Sequence, residues 1–169
     1  MPDPTPSQTA GPYVAIGMAW CAGRSVAAPG AGATFTLSGS VRDGAGEPVG
    51  DAALEFWQPD PAGSYLPGAS WRGFTRALTD LDGAYAITTV KPGGAEAPHI
   101  SISIFARGLQ QRLVTHAYFA DEPAANGADP VLAAVDPSRR SRLLAVPVPG
   151  GYRFDIVLQG EEETPFFVP

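Results

Sequence analysis

Few side chains in this sequence are suited to chemistry. Its 169 residues include 2 histidines, His99 and His116, a single cysteine, Cys21, and 5 tyrosines. Cys21 has no second cysteine for a redox pair and only Arg24 nearby to stabilise a thiolate, so it reads as an unreactive thiol. Serines are plentiful, but no G-x-S-x-G elbow presents one of them, and no acyl-transfer triad can be assembled. Phosphate cradles are missing too: neither G-x-x-x-x-G-K-[ST] nor G-x-G-x-x-G occurs. His116 lies among apolar residues of a strand pattern and reads as a structural or surface histidine. His99 and Ser101 stand two apart in an alternating segment, so they share one face of a strand.

The elements that position these groups are strands and turns. With 20 glycines and 18 prolines the chain cannot sustain long helices, while 44% hydrophobic and 17% charged residues suit a folded domain. Alternation at period two begins at Thr34 and predicts strands over Thr34 to Val41, Ala52 to Trp57, Ala84 to Val90 and Gln111 to Phe119. Between the third and fourth of these, Ile100, Ile102 and Ile104 point to the core, and His99, Ser101 and Ser103 point to a polar face. A final strand places Tyr152, Phe154, Ile156 and Leu158 on one side. Turns are expected at Asp43-Gly44, Pro59-Asp60-Pro61, Asp82-Gly83 and Lys91-Pro92-Gly93. One helix is predicted after Asp136 as N-cap, with Pro137 in its first turn, running through Arg139, Arg140, Leu143 and Leu144. The expected class is all-β, a two-sheet β-sandwich with one or two short helices.

Charge and targeting narrow the partners. With 17 acidic against 11 basic residues, a net charge of −6 leaves no footprint for nucleic acid or an anionic membrane. No stretch approaches the roughly 20 apolar residues of a membrane helix. The first residues carry Pro2, Pro4, Pro6 and Pro12 and no basic residue, unlike a signal peptide, which places the chain in the cytoplasm.

Several segments together carry a family signal. Arg42-Asp43-Gly44-Ala45-Gly46-Glu47-Pro48-Val49, Leu54-Glu55-Phe56-Trp57-Gln58, Phe74-Thr75-Arg76, Thr79-Asp80-Leu81-Asp82-Gly83-Ala84-Tyr85, Val90-Lys91-Pro92-Gly93 and Ala97-Pro98-His99-Ile100-Ser101 follow one another as in the intradiol ring-cleaving dioxygenases, which this chain resembles. Pro6 to Val14, Phe105-Ala106-Arg107-Gly108, Tyr118 to Glu122, Asp129 to Leu132 and Tyr152 to Ile156 extend the resemblance nearly end to end. These are similar to the α chain of the branch of that family built from two homologous chains, of which only the β chain carries iron.

The resemblance implies an intradiol dioxygenase-like sandwich with a prealbumin-like core over 34–169, and an amino-terminal arm and loop over 1–33 that contributes to a subunit interface. It also implies a ferric site made from two tyrosine phenolates and two histidines, the histidines two apart on one strand. Here Tyr65 and His99 occupy ligand positions, and Ser101 stands where the second imidazole belongs. No tyrosine follows the Lys-Pro-Gly turn, and Glu96 stands near the place of the family's arginine. Tyr65, His99 and Ser101 are therefore vestigial, the chain holds no metal and no catalytic residue of its own, and Fe(III) is bound by a homologous iron-binding β subunit. There protocatechuate and O₂ react to give 3-carboxy-cis,cis-muconate. By the same resemblance Thr9, Gly11, Pro12, Tyr13 and Arg107 border that pocket: Gly11 permits close approach, Pro12 makes a rigid apolar edge, and Arg107 offers a planar fork to a carboxylate.

Two other readings remain open at this point. An autonomous ferric dioxygenase would use Tyr65, Tyr85, His99 and His116. A transthyretin-like module without enzymatic activity would account for Asp43 to Val49 and Thr79 to Tyr85 but not for the amino-terminal or Phe105-to-Gly108 segments. Trp20, Trp57 and Trp71 are candidates for a face buried against another chain.

Overall fold

A computed structural model describes residues 5–11, 13–19, 22, 25, 32–66 and 71–168. The chain orders as helix α1 (Tyr13–Met18), strands β1 (Thr34–Arg42), β2 (Ala53–Trp57), β3 (Phe74–Leu78), β4 (Ala84–Val90), β5 (His99–Phe105) and β6 (Leu113–Phe119), helices α2 (Pro123–Ala128) and α3 (Pro130–Ala134), a 3₁₀ turn at Arg140–Leu143, then β7 (Leu144–Val148), β8 (Gly151–Arg153) and β9 (Ile156–Val157). The expected all-β character holds in that the fold is mostly β with a few short helices, but the two separate sheets of the expected sandwich are replaced by one nearly closed sheet. The hydrogen-bonded path is one continuous nine-stranded sheet in the order β3-β2-β5-β6-β7-β8-β1-β4, with β9 on β1. β7 joins its two parts, pairing parallel with β6 and antiparallel with β8. The end strands β3 and β4 lie against each other, so the sheet curls nearly closed.

Alternation decides which residues enter the curl. Leu37 and Val41 of β1, Leu54 and Phe56 of β2, Ile100, Ile102 and Ile104 of β5, and Ile156 are fully buried, each stabilising the fold by about 1.5–3 kcal/mol of apolar burial. Tyr85 and Ile87 enter from β4. The Tyr85 hydroxyl donates to the Phe154 carbonyl at 2.6 Å. Gly39 lets that strand pass: a Cβ there would stand 1.8 Å from the same carbonyl oxygen.

The turns follow aspartate chemistry. Asp43, Asp60 and Asp80 each accept backbone N–H groups two and four residues on, closing the loops before β2, after β2 and before β4.

Several expectations are corrected. The helix over 137–144 is absent. The Asp136 carboxylate accepts only from Ser138 among the described residues, the chain turns through a single 3₁₀ segment, and Leu144 is drawn into β7 by pairing with Tyr118 of β6. The helical turns lie just before, where Asp129 caps α3 by accepting from Val131 and Leu132 at 2.9 Å each. The last strand is interrupted: β8 and β9 are separate, although Phe154 and Ile156 are buried and Tyr152 and Leu158 pack on the same core. The outer face of β5 is not simply wet, because a second cluster of Ala97, Tyr118, Leu132 and Leu143 packs over it, and Ser103 is buried. Trp71 is interior, Trp57 is 48% exposed and packs against Phe74 with the rings tilted by 51°, and Trp20 and Cys21 lie outside the described residues.

Candidate functional site

Of the three expected ligand positions, His99 and Ser101 lie on the outer face of β5, and Tyr65 lies on a loop. The register pairs His99 with Tyr118 and Ser101 with His116, so a second imidazole does stand beside Ser101, but it comes from the neighbouring strand. The His99 and His116 rings are stacked, with centroids 4.7 Å apart and planes inclined by 20°. Stacked rings keep their in-plane lone pairs in two separate, nearly parallel planes, so both cannot point at one ion. His99 Nδ1 lies 2.9 Å from the Ala97 carbonyl oxygen, to which it donates, leaving Nε2 as its open nitrogen. Phe167 covers His116 at 4.7 Å. Burial first, and then His99, push the His116 pKa down to about 4, so its ring is neutral at pH 7.

Tyr118, directly opposite His99, is fully buried, and its hydroxyl donates to Asp129 at 3.3 Å. Burial and the Asp129 charge hold this phenol well above its ordinary range. Tyr65 and His99 line one cavity of about 240 Å³ together with Glu96, Gly93 and Gly94. Partial burial and the Glu96 carboxylate raise the Tyr65 pKa, which opposes the phenolate form. Tyr85 is on the other side of the sheet wall, in the core.

These residues do not fit a ferric centre. The imidazole planes are nearly parallel, a serine hydroxyl is a poor Fe(III) ligand, and Tyr85 is buried in the core on the other side of the sheet. Among the described residues no group of three or more His, Cys, Asp and Glu could hold a metal ion.

A second constellation lies where β5 leaves the sheet. The Thr9 hydroxyl accepts from the Gly108 N–H at 2.9 Å, fastening the amino-terminal arm to the turn that carries Arg107. The Arg107 side chain is 65% exposed, and its Nε faces the Asp51 carboxylate in an ion pair. Gly11 adopts a φ of 65° and has open space where a Cβ would be. Its carbonyl accepts from Val14 at the start of α1. Tyr13 is 80% exposed, and Pro12 lies outside the described residues. The fold thus brings Thr9 and Arg107 to one turn and leaves the Gly11 and Tyr13 surface free for another molecule. Asp51 and the His116 stack were missed by sequence reasoning, because both depend on strand register.

The chain matches the family model described as Dioxygenase over residues 24–98. It is 43% identical to a protocatechuate 3,4-dioxygenase alpha chain of Pseudomonas putida, covering 96% of this chain and 95% of that one. It is 32% identical to a protocatechuate 3,4-dioxygenase beta chain of Burkholderia cepacia, over 79% of this chain and 68% of that one. Among solved structures, the dioxygenase domain of a carbohydrate-binding fusion from Streptomyces sp. SirexAA-E superposes with a TM-score of 0.65 at 31% identity, covering 94% and 99% of the two chains.

Proposed function

The chain belongs to the intradiol dioxygenase family of the protocatechuate 3,4-dioxygenase chains, and from that premise we propose that it is the iron-free α subunit of such an enzyme. The single observation that carries this reading is the end-to-end match to an α chain, with 96% and 95% of the two chains covered. The mismatch between the His99 and His116 stack and the geometry of a ferric site supports it from the other side. The iron and the bond-breaking belong to a homologous β subunit, and protocatechuate and O₂ meet there, in the cytoplasm. Among the described residues no helix is long and apolar enough to cross a membrane.

In this reading the chain contributes pocket wall and charge. The arm over 1–33 docks on the partner, and the sandwich-like body over 34–169 supports it. Thr9, Gly11, Pro12, Tyr13 and Arg107 border the substrate, with the Arg107 guanidinium balancing the ring carboxylate. Because that side chain is mostly exposed in the isolated chain, its attraction for an anion is screened by water until a partner covers it.

Co-expression tests the reading. A tag on this chain should retrieve a larger homologous chain, and the complex should consume protocatechuate and O₂ together. An iron-bearing chain that reaches full activity without this subunit would overturn it.

A further inference from the structure

The β2–β5 ladder ends with Ala53 opposite Phe105. Carrying that antiparallel register two residues further sets Asp51 opposite Arg107, on the turns that leave the two strands. Both residues lie on turns just beyond the ladder, so the register of β2 and β5 brings these two turns together and the ion pair forms between them. The exposures are unequal: the Asp51 side chain is 19% exposed and that of Arg107 is 65% exposed. The carboxylate is the fixed, covered partner and the guanidinium is the presented one. Contact is through Arg107 Nε, so both Nη groups stay available to a second anion, and among the described residues Asp51 is the only ionic partner. On the other side of the same turn Thr9 holds the Gly108 N–H.

We infer that Asp51 is a positioning residue: it aims the Arg107 guanidinium at the carboxylate of the substrate, an inference that rests on the proposed role of Arg107. Two effects of removing Asp51 oppose each other. Deleting a negative charge beside the site favours an anionic substrate, while releasing a flexible arginine disfavours it. In the assembled enzyme a partner covers the pair and strengthens it, and an arginine then held in one rotamer loses less freedom on binding, so the loss of aim prevails.

The test uses the assembled enzyme and two substrates, 3,4-dihydroxybenzoate and catechol, which lacks the carboxylate. Asp51→Ala should raise KM for the carboxylated substrate by about five-fold, with kcat and the catechol KM within about two-fold. Asp51→Glu should recover part of the loss. Adding Asp51→Ala to Arg107→Ala should change nothing further, as expected for residues acting through one contact. In the isolated chain, exchange of the Arg107 Nε proton should speed up in Asp51→Ala, a readout that does not need the partner. An Asp51→Ala enzyme with unchanged or lowered KM, beside an Arg107→Ala enzyme with raised KM, overturns the positioning role alone. If Arg107→Ala is itself silent, the reading of Arg107 falls as well.

Discussion

His116 shows how one side chain can have a sequence neighbourhood that is easy to read and a role that is not. It sits between His99, Tyr118 and Phe167, with the Asp129 carboxylate nearby. Its pKa is about 4 when folded, against an ordinary 6.5. Between these values the unfolded chain binds the extra proton and the folded chain does not. Stability is therefore complete above the unfolded pKa and falls as pH drops from 6.5 toward 4. His116→Phe should flatten this part of the profile, which thermal melting of both proteins between pH 4 and 7 would detect; parallel profiles would exclude the histidine as the source. The Ser101 substitution was legible from the sequence because i and i+2 share a strand face. That His116 fills the place beside Ser101 was not, since this depends on how β5 and β6 pair.

Elements were legible where alternation and turn residues agree. β4 and β5 are read correctly from their branched and apolar positions, and the aspartate turns from Asp43-Gly44 and Asp60. β7, Leu144 to Val148, contains Pro147 and is mostly exposed, so it carries no alternating signal; neighbouring strands on both sides make it a strand. Asp129-Pro130 and Asp136-Pro137 look alike as helix starts, and tertiary pairing alone separates them. Asp129 caps α3 and receives Tyr118, so Asp129→Ala should cost about 2 kcal/mol in urea unfolding; a loss within 0.5 kcal/mol, on the order of a neutral surface change, would argue against the cap. Gly39→Ala forces a Cβ into the Phe154 carbonyl and should destabilise by about 3 kcal/mol or more. A midpoint equal to that of the parent chain would mean that the strands can part without cost.

At the scale of the molecule, one sheet carries two unlike places. One is the cavity beside His99, where the His99 and His116 rings stack in nearly parallel planes. The other is the β5 exit turn, where Thr9, Arg107 and Asp51 meet at a largely exposed surface. The family was legible in motif order; the ion pair between Arg107 and Asp51 came only with the fold. Iron analysis of this chain purified alone and of its complex with the β subunit tests the division most directly. The account predicts no bound iron and no tyrosinate absorption in the isolated chain, with one ferric ion per αβ pair in the complex. Stoichiometric ferric iron held by the isolated chain, together with turnover of protocatechuate, would contradict it.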